Sequence, residues 1–201
     1  MEERILKEFL YNHELKFSDI ERGIKIRSNK LAYHLKNLVK KNVLKKNGEV
    51  YCLSETAETL IPYISEKQSP LSVVLVAVAK NSNQVFLHKR NKRPFKNKLS
   101  LPGGRILSGE SIAQATKRIM KEKHSMNVEL DKVNSVSIEH VEKKDKRVHS
   151  FVLIFTSAST RDKIEYTNVS KNKIEIISSD YKLIKNNLKK EVGVNEFLTK
   201  D

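Results

Sequence analysis

The period of the apolar residues changes near residue 68, and no other feature constrains the chain as strongly. Upstream, apolar positions recur at helical spacing. Downstream, runs such as "LSVVLVAVAK" and "QVFLHKRN" read as strands. Between them lies "EKQSP" at 66–70, polar, aperiodic and ending in proline, which reads as a linker. The chain is therefore expected to form two domains, residues 1–67 and 68–201. With 201 residues and 38% hydrophobic content, both can build a core despite 31% charged residues.

In the first domain Ile5, Leu6, Phe9 and Leu10 mark one helix, and "SDIE" at 18–21 reads as a capping box that starts a second. Ser28 can cap a third helix with Leu31, Leu35, Leu38 and Val39 on its apolar stripe. Asn47-Gly48 between apolar runs signals a tight hairpin, and Ser54 caps a last helix through Ile64. Charge is concentrated in this region. From Lys25 to Lys46 there are eight basic residues and no acidic one, and the whole chain has a net charge of +15, which attracts polyanions.

The stretch "LAYHLKNLVKKNVLKKNGEVYCLSETAETLI" resembles the recognition helix, wing and following helix of ArsR-type winged helix-turn-helix repressors. The resemblance implies that the exposed face of residues 28–41 enters the major groove of double-stranded DNA, with the wing tip at Lys45 to Glu49 on the backbone. Ser28 opens that face. Lys30, Lys41, Lys45 and Lys46 would neutralise phosphates, while Asn29, Tyr33, His34 and Asn37 would reach base edges. Such regulators pair, so a homodimer is expected. A solvated charged surface or a protein-docking module is the alternative use of the same face.

The second domain is expected to be an α+β fold, an α/β/α sandwich around a mixed sheet. Its first two runs form the simplest antiparallel hairpin, "VNSVSIEHVEKKDKRVHSFVLIFTSA" gives two longer strands around a charged turn, and "KIEIIS" gives another strand. Helices are expected over 111–124 and, in pieces, over roughly 178–199.

The stretch "LPGGRILSGESIAQATKRIMKEKHSM" carries the chemistry. Gly104, Glu110 and Arg118 keep the spacing of the Nudix box, which the segment resembles, and "SIAQ" at 111–114 is a capping box. The resemblance implies Mg²⁺ gathered by three glutamates against a diphosphate. Here those positions hold Ile119, Glu122 and Lys123, so Glu122 alone survives, with Glu110 a weak further candidate. Ile119 continues the apolar stripe of Ile112, Ala115 and Thr116, and Lys123 places an ammonium where a dication is wanted. Ser125 replaces the family's glycine, which is expected to shift the turn after the helix. Carboxylates or histidines outside the box, Glu139, His140, Glu142 and His149, could restore hydrolysis, although strand alternation sends Glu139 and His140 to opposite faces.

A binding site can outlast the loss of metal ligands. "HKRNKRPFKNK" at 88–98 holds six cations and one aromatic residue. Lys89, Arg90, Arg93 and Lys96 could hold phosphates and Phe95 could stack on a base, with Gly103, Gly104, Arg118 and Lys123 completing the pocket. Two functions follow. One is a DNA-binding transcriptional regulator whose degenerate Nudix domain binds a nucleotide or phosphorylated metabolite without efficient hydrolysis. Bacterial repressors of NAD metabolism join the same two folds in the opposite order. The other is a Mg²⁺-dependent pyrophosphohydrolase of nucleoside diphosphate derivatives. No run reaches the roughly 18 apolar residues of a membrane span, and the single cysteine, Cys52, allows no internal disulfide. A cytoplasmic protein without a membrane partner is expected.

Overall fold

Leu31, Leu35 and Leu38 are almost completely buried, and they fix which side of helix α3 (Ser28–Lys40) faces inward. Their spacing places them on one stripe, and full burial of each such side chain contributes about 1.5–3 kcal/mol. They pack with Ile5 and Phe9 from α1 (Glu2–Glu8) and its C-terminus, and with Ile20 and Ile24 from α2 (Phe17–Ile24). Leu44, Tyr51 and Leu53 of β2 (Leu44–Asn47) and β3 (Val50–Leu53) close the cluster. Val39, expected on the stripe, is 37% exposed at its margin. The computed structural model describes residues 1–59, 69–143 and 146–199, which form two units, Met1–Ser69 and Pro70–Asp201.

Local details of the first unit differ from the sequence expectations. Helix α2 starts one residue before Ser18, because the Asp19 carboxylate accepts the Lys16 backbone N–H at 3.2 Å. Ser28 does not cap α3; its hydroxyl donates to the Glu21 carboxylate, and Arg27 holds the cap position. In the hairpin Asn47 pairs with Val50, so the turn residues are Gly48 and Glu49, with Gly48 at φ +60° where a two-residue turn needs glycine. A short strand, β1 (Glu14–Lys16), pairs antiparallel with β3 and was not anticipated, since three residues are too few to show alternation. Ser54 caps α4 (Glu55–Glu58) by accepting from the Ala57 N–H at 3.2 Å, while the expected continuation to Ile64 and most of the linker lie outside the described residues.

The second unit is a sheet with helices on both faces. Its four-stranded part runs β10-β11-β4-β9, using β4 (Leu71–Ala77), β9 (Gly103–Arg105), β10 (Glu129–Lys143) and β11 (Lys146–Ser159). The β11/β4 pair is parallel and the other two are antiparallel, so the sheet is mixed. Alternation along β4 sorts its side chains. Val74 and Val76 face α5 (Ile112–His124), whereas Leu75 and Ala77 face α6 (Ser178–Asn187).

The expected antiparallel hairpin between the first two runs forms only at its turn end, without β4. The chain leaves that sheet after Ala77, and β5 (Ala79–Asn81) pairs instead with β6 (Gln84–Val85), which also pairs with β12 (Thr167–Asn168). A further pair joins β7 (His88–Lys89) to β8 (Leu99–Ser100). "KIEIIS" is not a strand. Asn168 and Asn172 hold it in turns, and a bridge from Ile176 to Leu99 joins it to the next pair of strands. The last helix ends at Asn187, and residues 188–199 are not helical.

Candidate functional site

The glycine turn and helix α5 form one hydrogen-bonded unit. Ser111 Oγ accepts the Gln114 N–H at 3.1 Å and Gln114 Oε1 accepts the Ser111 N–H at 2.8 Å, so the expected capping box is present. Glu110 pairs with the Arg118 guanidinium and accepts the Leu107 N–H at 2.9 Å, while Arg118 Nη2 donates to the Arg105 carbonyl at 2.9 Å. The Arg118 hydrogen bond, with that of Leu107 next, holds the Glu110 carboxyl down at about 2. Its folded value lies below the ordinary one, so its stabilising charge is present above the usual carboxylate range and is lost as pH falls towards 2. Glu110 is thereby committed to fixing the loop.

The three metal positions have become a packing residue, an ion-pair partner and a cation. Ile119 is fully buried among Val74, Val76, Ala115 and Met120. Glu122 is 3.5 Å from Arg118 Nη1. Lys123 Nζ donates to the Gly103 carbonyl at 2.5 Å. Glycine is required next to it, since a Cβ on Gly104 would come 2.9 Å from Ile119 Cγ1 and 3.1 Å from the Lys123 ammonium. Although the Lys123 side chain keeps contact with solvent, partial burial of its ammonium, followed by the charges of Arg118, Lys92 and Arg90, pushes its pKa below the ordinary lysine value. These residues do not fit Mg²⁺, because a fixed ammonium takes up the oxygen ligand and repels a dication. Among the described residues no three His, Cys, Asp or Glu side chains gather as a metal site. Ser125 does not shift the turn; it adopts the left-handed conformation itself, with φ 54°.

The loop at 88–98 divides the expected phosphate ligands between two places. Arg90 Nε donates to the Lys92 and Pro94 carbonyls at 3.1 and 2.6 Å, which folds the loop on itself. Lys89 and Lys96 instead line a separate cavity of about 380 Å³ with Lys98 and Glu175. Arg93 is exposed, and Phe95 is half-buried with φ 64°. Beneath the loop, His88 Nε2 meets Ser100 Oγ at 3.1 Å, and its ring lies edge-on to His124 at 4.8 Å. Burial holds His124 down at about 4, so this pair is neutral and leaves the cleft's positive charge to lysine and arginine.

On α3, Ser28, Asn29, Lys30 and Tyr33 are exposed, the tyrosine by 64%. Asn37 is half-buried, and so is His34, whose Nδ1 is buried without a partner. Lys41 Nζ is held by Glu2 at 2.8 Å, Lys45 Nζ is 3.5 Å from Glu55, and Lys46 lies 5.6 Å from the centre of the Tyr51 ring. Among the outlying carboxylates and histidines, Glu139 is half-buried, while His140, Glu142 and His149 are exposed.

One buried acid escaped the sequence reading. Asp180, in the first turn of α6, is 4% exposed and accepts the Leu101 N–H at 2.8 Å. Burial pushes its carboxyl up to about 7. In "SSDYKL" it looks like an ordinary residue of a helix start, and only its partner 79 positions away reveals its burial.

The chain is 29% identical over 85 residues to an ADP-ribose pyrophosphatase of Methanocaldococcus jannaschii, across 42% of this chain and 48% of that protein. It thus spans about half the length of the curated relative it matches. Among solved structures, a NUDIX hydrolase from Nitrosomonas europaea covers 58% of this chain and 87% of its own, at 14% identity and TM-score 0.48. The NUDIX domain of Shewanella oneidensis NrtR, complexed with ADP ribose, covers 66% and 96%, at 15% identity and TM-score 0.47. Likenesses of that size bear on neither ligand nor activity. Among the described residues no helix is long and apolar enough to cross a membrane. The sequence profile of the NUDIX domain matches residues 69–177, more than half of the chain, and the protein belongs to the NUDIX family.

Proposed function

We propose that the second unit is a nucleotide-binding NUDIX domain that holds a diphosphate on fixed protein cations without efficient hydrolysis. We further propose that the first unit is a winged helix-turn-helix that presents α3 to double-stranded DNA, so that the homodimeric protein is a ligand-responsive transcriptional regulator. The observation that carries the reading is the Lys123 ammonium bonded to the Gly103 carbonyl, beside Arg118 and Arg90, with Ile119 buried behind it. Fixed cations bind phosphate oxygens strongly, and of the three metal positions only Glu122 keeps a carboxylate. The order of helices and hairpin, and the exposed basic residues of α3, support the DNA-binding part. The name of the curated relative, an ADP-ribose pyrophosphatase, supports a nucleoside diphosphate derivative as the ligand class. For regulation, that ligand must bind two states of the protein unequally.

Calorimetric titration of the full chain with ADP-ribose, in EDTA and in Mg²⁺, tests the site. Equal affinity in both, with ADP-ribose recovered intact, is expected. Fluorescence anisotropy on genomic fragments, with and without ADP-ribose, tests the regulator. Binding without sequence preference at physiological salt would count against it. The second reading, a Mg²⁺-dependent pyrophosphohydrolase, is favoured by the relative's name and the retained Glu122. Turnover abolished by Glu122→Gln would establish it instead.

A further inference from the structure

We propose that the cavity between the 88–98 loop and the turn at 171–175 is a second ligand site, separate from the α5 cleft, and that it takes a sugar phosphate. Lys89, Lys96, Asn97, Lys98, Leu99 and Glu175 line its volume of about 380 Å³. That volume lies at the lower end of the range for small-molecule sites, so it suits one phosphate ester and not an extended polyanion. Strand β7 separates the two sites. Its His88 ring lies edge-on to that of His124, at the end of α5, with 4.8 Å between their centres. Successive side chains of a strand point to opposite faces, so Lys89 leaves on the other side, where the cavity receives it.

Hydrogen bonds fix both walls. The Asn97 N–H donates to the Arg90 carbonyl at 2.7 Å and the Arg90 N–H to the Lys98 carbonyl at 2.8 Å, which closes the loop. Leu99 joins the loop to the turn, donating its N–H to the Glu175 carbonyl at 2.9 Å and accepting the Ile177 N–H at 3.0 Å. Lys98 Nζ adds a bond to the Ile174 carbonyl at 2.7 Å. The cavity is thus formed before a ligand arrives, which lowers the entropic cost of binding. Its charge is unbalanced. Three ammonium groups line it with one carboxylate, and among the described residues none of the three belongs to an ion pair. Lys98 is committed to Ile174, which leaves the exposed Lys89 and Lys96 to hold a phosphate. The Glu175 carboxylate repels phosphate and only accepts hydrogen bonds, so the part of the ligand beside it must carry donors. Sugar hydroxyls meet that need, Asn97 can both donate to and accept from them, and Leu99 adds apolar contact for ring carbons.

Amide NMR titration of the full chain with ribose 5-phosphate, inorganic phosphate and ribose tests the proposal residue by residue. Ribose 5-phosphate should give saturable shifts at the amides of 96–99 and 175–176, and bind there at least about tenfold more tightly than phosphate or ribose alone. Lys89→Ala and Lys96→Ala should each weaken that binding by about five- to tenfold, whereas Lys123→Ala, in the α5 cleft, should change it less than about twofold. Glu175→Gln should weaken ribose 5-phosphate but tighten inorganic phosphate, opposite signs that a general disturbance of the loop would not produce. Absence of shifts at these amides with about 10 mM ribose 5-phosphate, or binding that neither lysine variant alters, overturns the proposal. Tightening of both ligands by Glu175→Gln overturns the assignment of a sugar to the acidic end.

Discussion

Helices α3 and α5 are each 13 residues long, bury an apolar stripe and carry an excess of cations, but they place those cations differently. On α3, Lys30, Lys36 and Lys40 stand in solvent. On α5, Arg118 and Lys123 turn towards the glycine turn and bond its carbonyls. A solvated row of charge suits an extended polyanion, whose binding is governed by salt. A partly desolvated cluster at the mouth of a turn suits a small phosphate ligand. Net charge alone makes no such distinction; the placement of each ammonium does.

The largest expected effect tests whether α5 has really exchanged a ligand for a packing residue. Ile119→Glu should destabilise the second unit by about 3–5 kcal/mol, because it buries an unpaired carboxylate. Denaturant unfolding measures this, and a stable variant that gains Mg²⁺ affinity would show that the helix can still present a metal ligand there. Next in size, Lys123→Glu should destabilise the second unit by about 1 kcal/mol through loss of the bond to the Gly103 carbonyl and weaken pyrophosphate binding by tenfold or more, since a charge-assisted contact contributes about 1.5–3 kcal/mol. Undiminished affinity would remove Lys123 from the site.

On α3 the corresponding test is salt dependence. Lys30→Ala should reduce the slope of log affinity for duplex DNA against log salt by about 1, the contribution of one phosphate contact. Lys41 is already neutralised by Glu2, so Glu2→Gln should strengthen DNA binding and steepen the slope. If neither variant alters the slope, the basic face of α3 is only a solvated surface.

What the sequence disclosed follows the distance over which each feature is decided. The Ser111 capping box, the buried stripe of α5 and the Gly48 turn depend on residues a few positions apart, and the sequence displays them. "KIEIIS" misled because its β-branched residues favour a strand locally, whereas the turns anchored on Asn168 and the burial of Ile176 and Ile177 decide its shape. The sheet change after Ala77 and the contact between Lys123 and Gly103 needed the assembled fold. Asp180 was hidden for the same reason, since its burial and its bond to the Leu101 N–H are made across 79 positions of sequence.

The smallest effect lies where α5 ends. Ser125 has φ 54° and ψ 26°, its N–H bonds the Lys121 carbonyl at 3.0 Å, and the Met126 N–H bonds the Met120 carbonyl at 3.2 Å. That pattern is a glycine-type helix stop occupied by serine, whose Cβ crowds the following carbonyl in the left-handed region. Ser125→Gly should therefore stabilise the second unit by about 0.5–1 kcal/mol, the crowding relieved being partly offset by greater freedom of the unfolded chain. Pyrophosphate affinity should stay within about twofold, because the Lys123 contact precedes the stop. Loss of affinity without loss of stability would mean that the serine helps aim Lys123, and the cation cluster would then extend past the end of the helix that carries it.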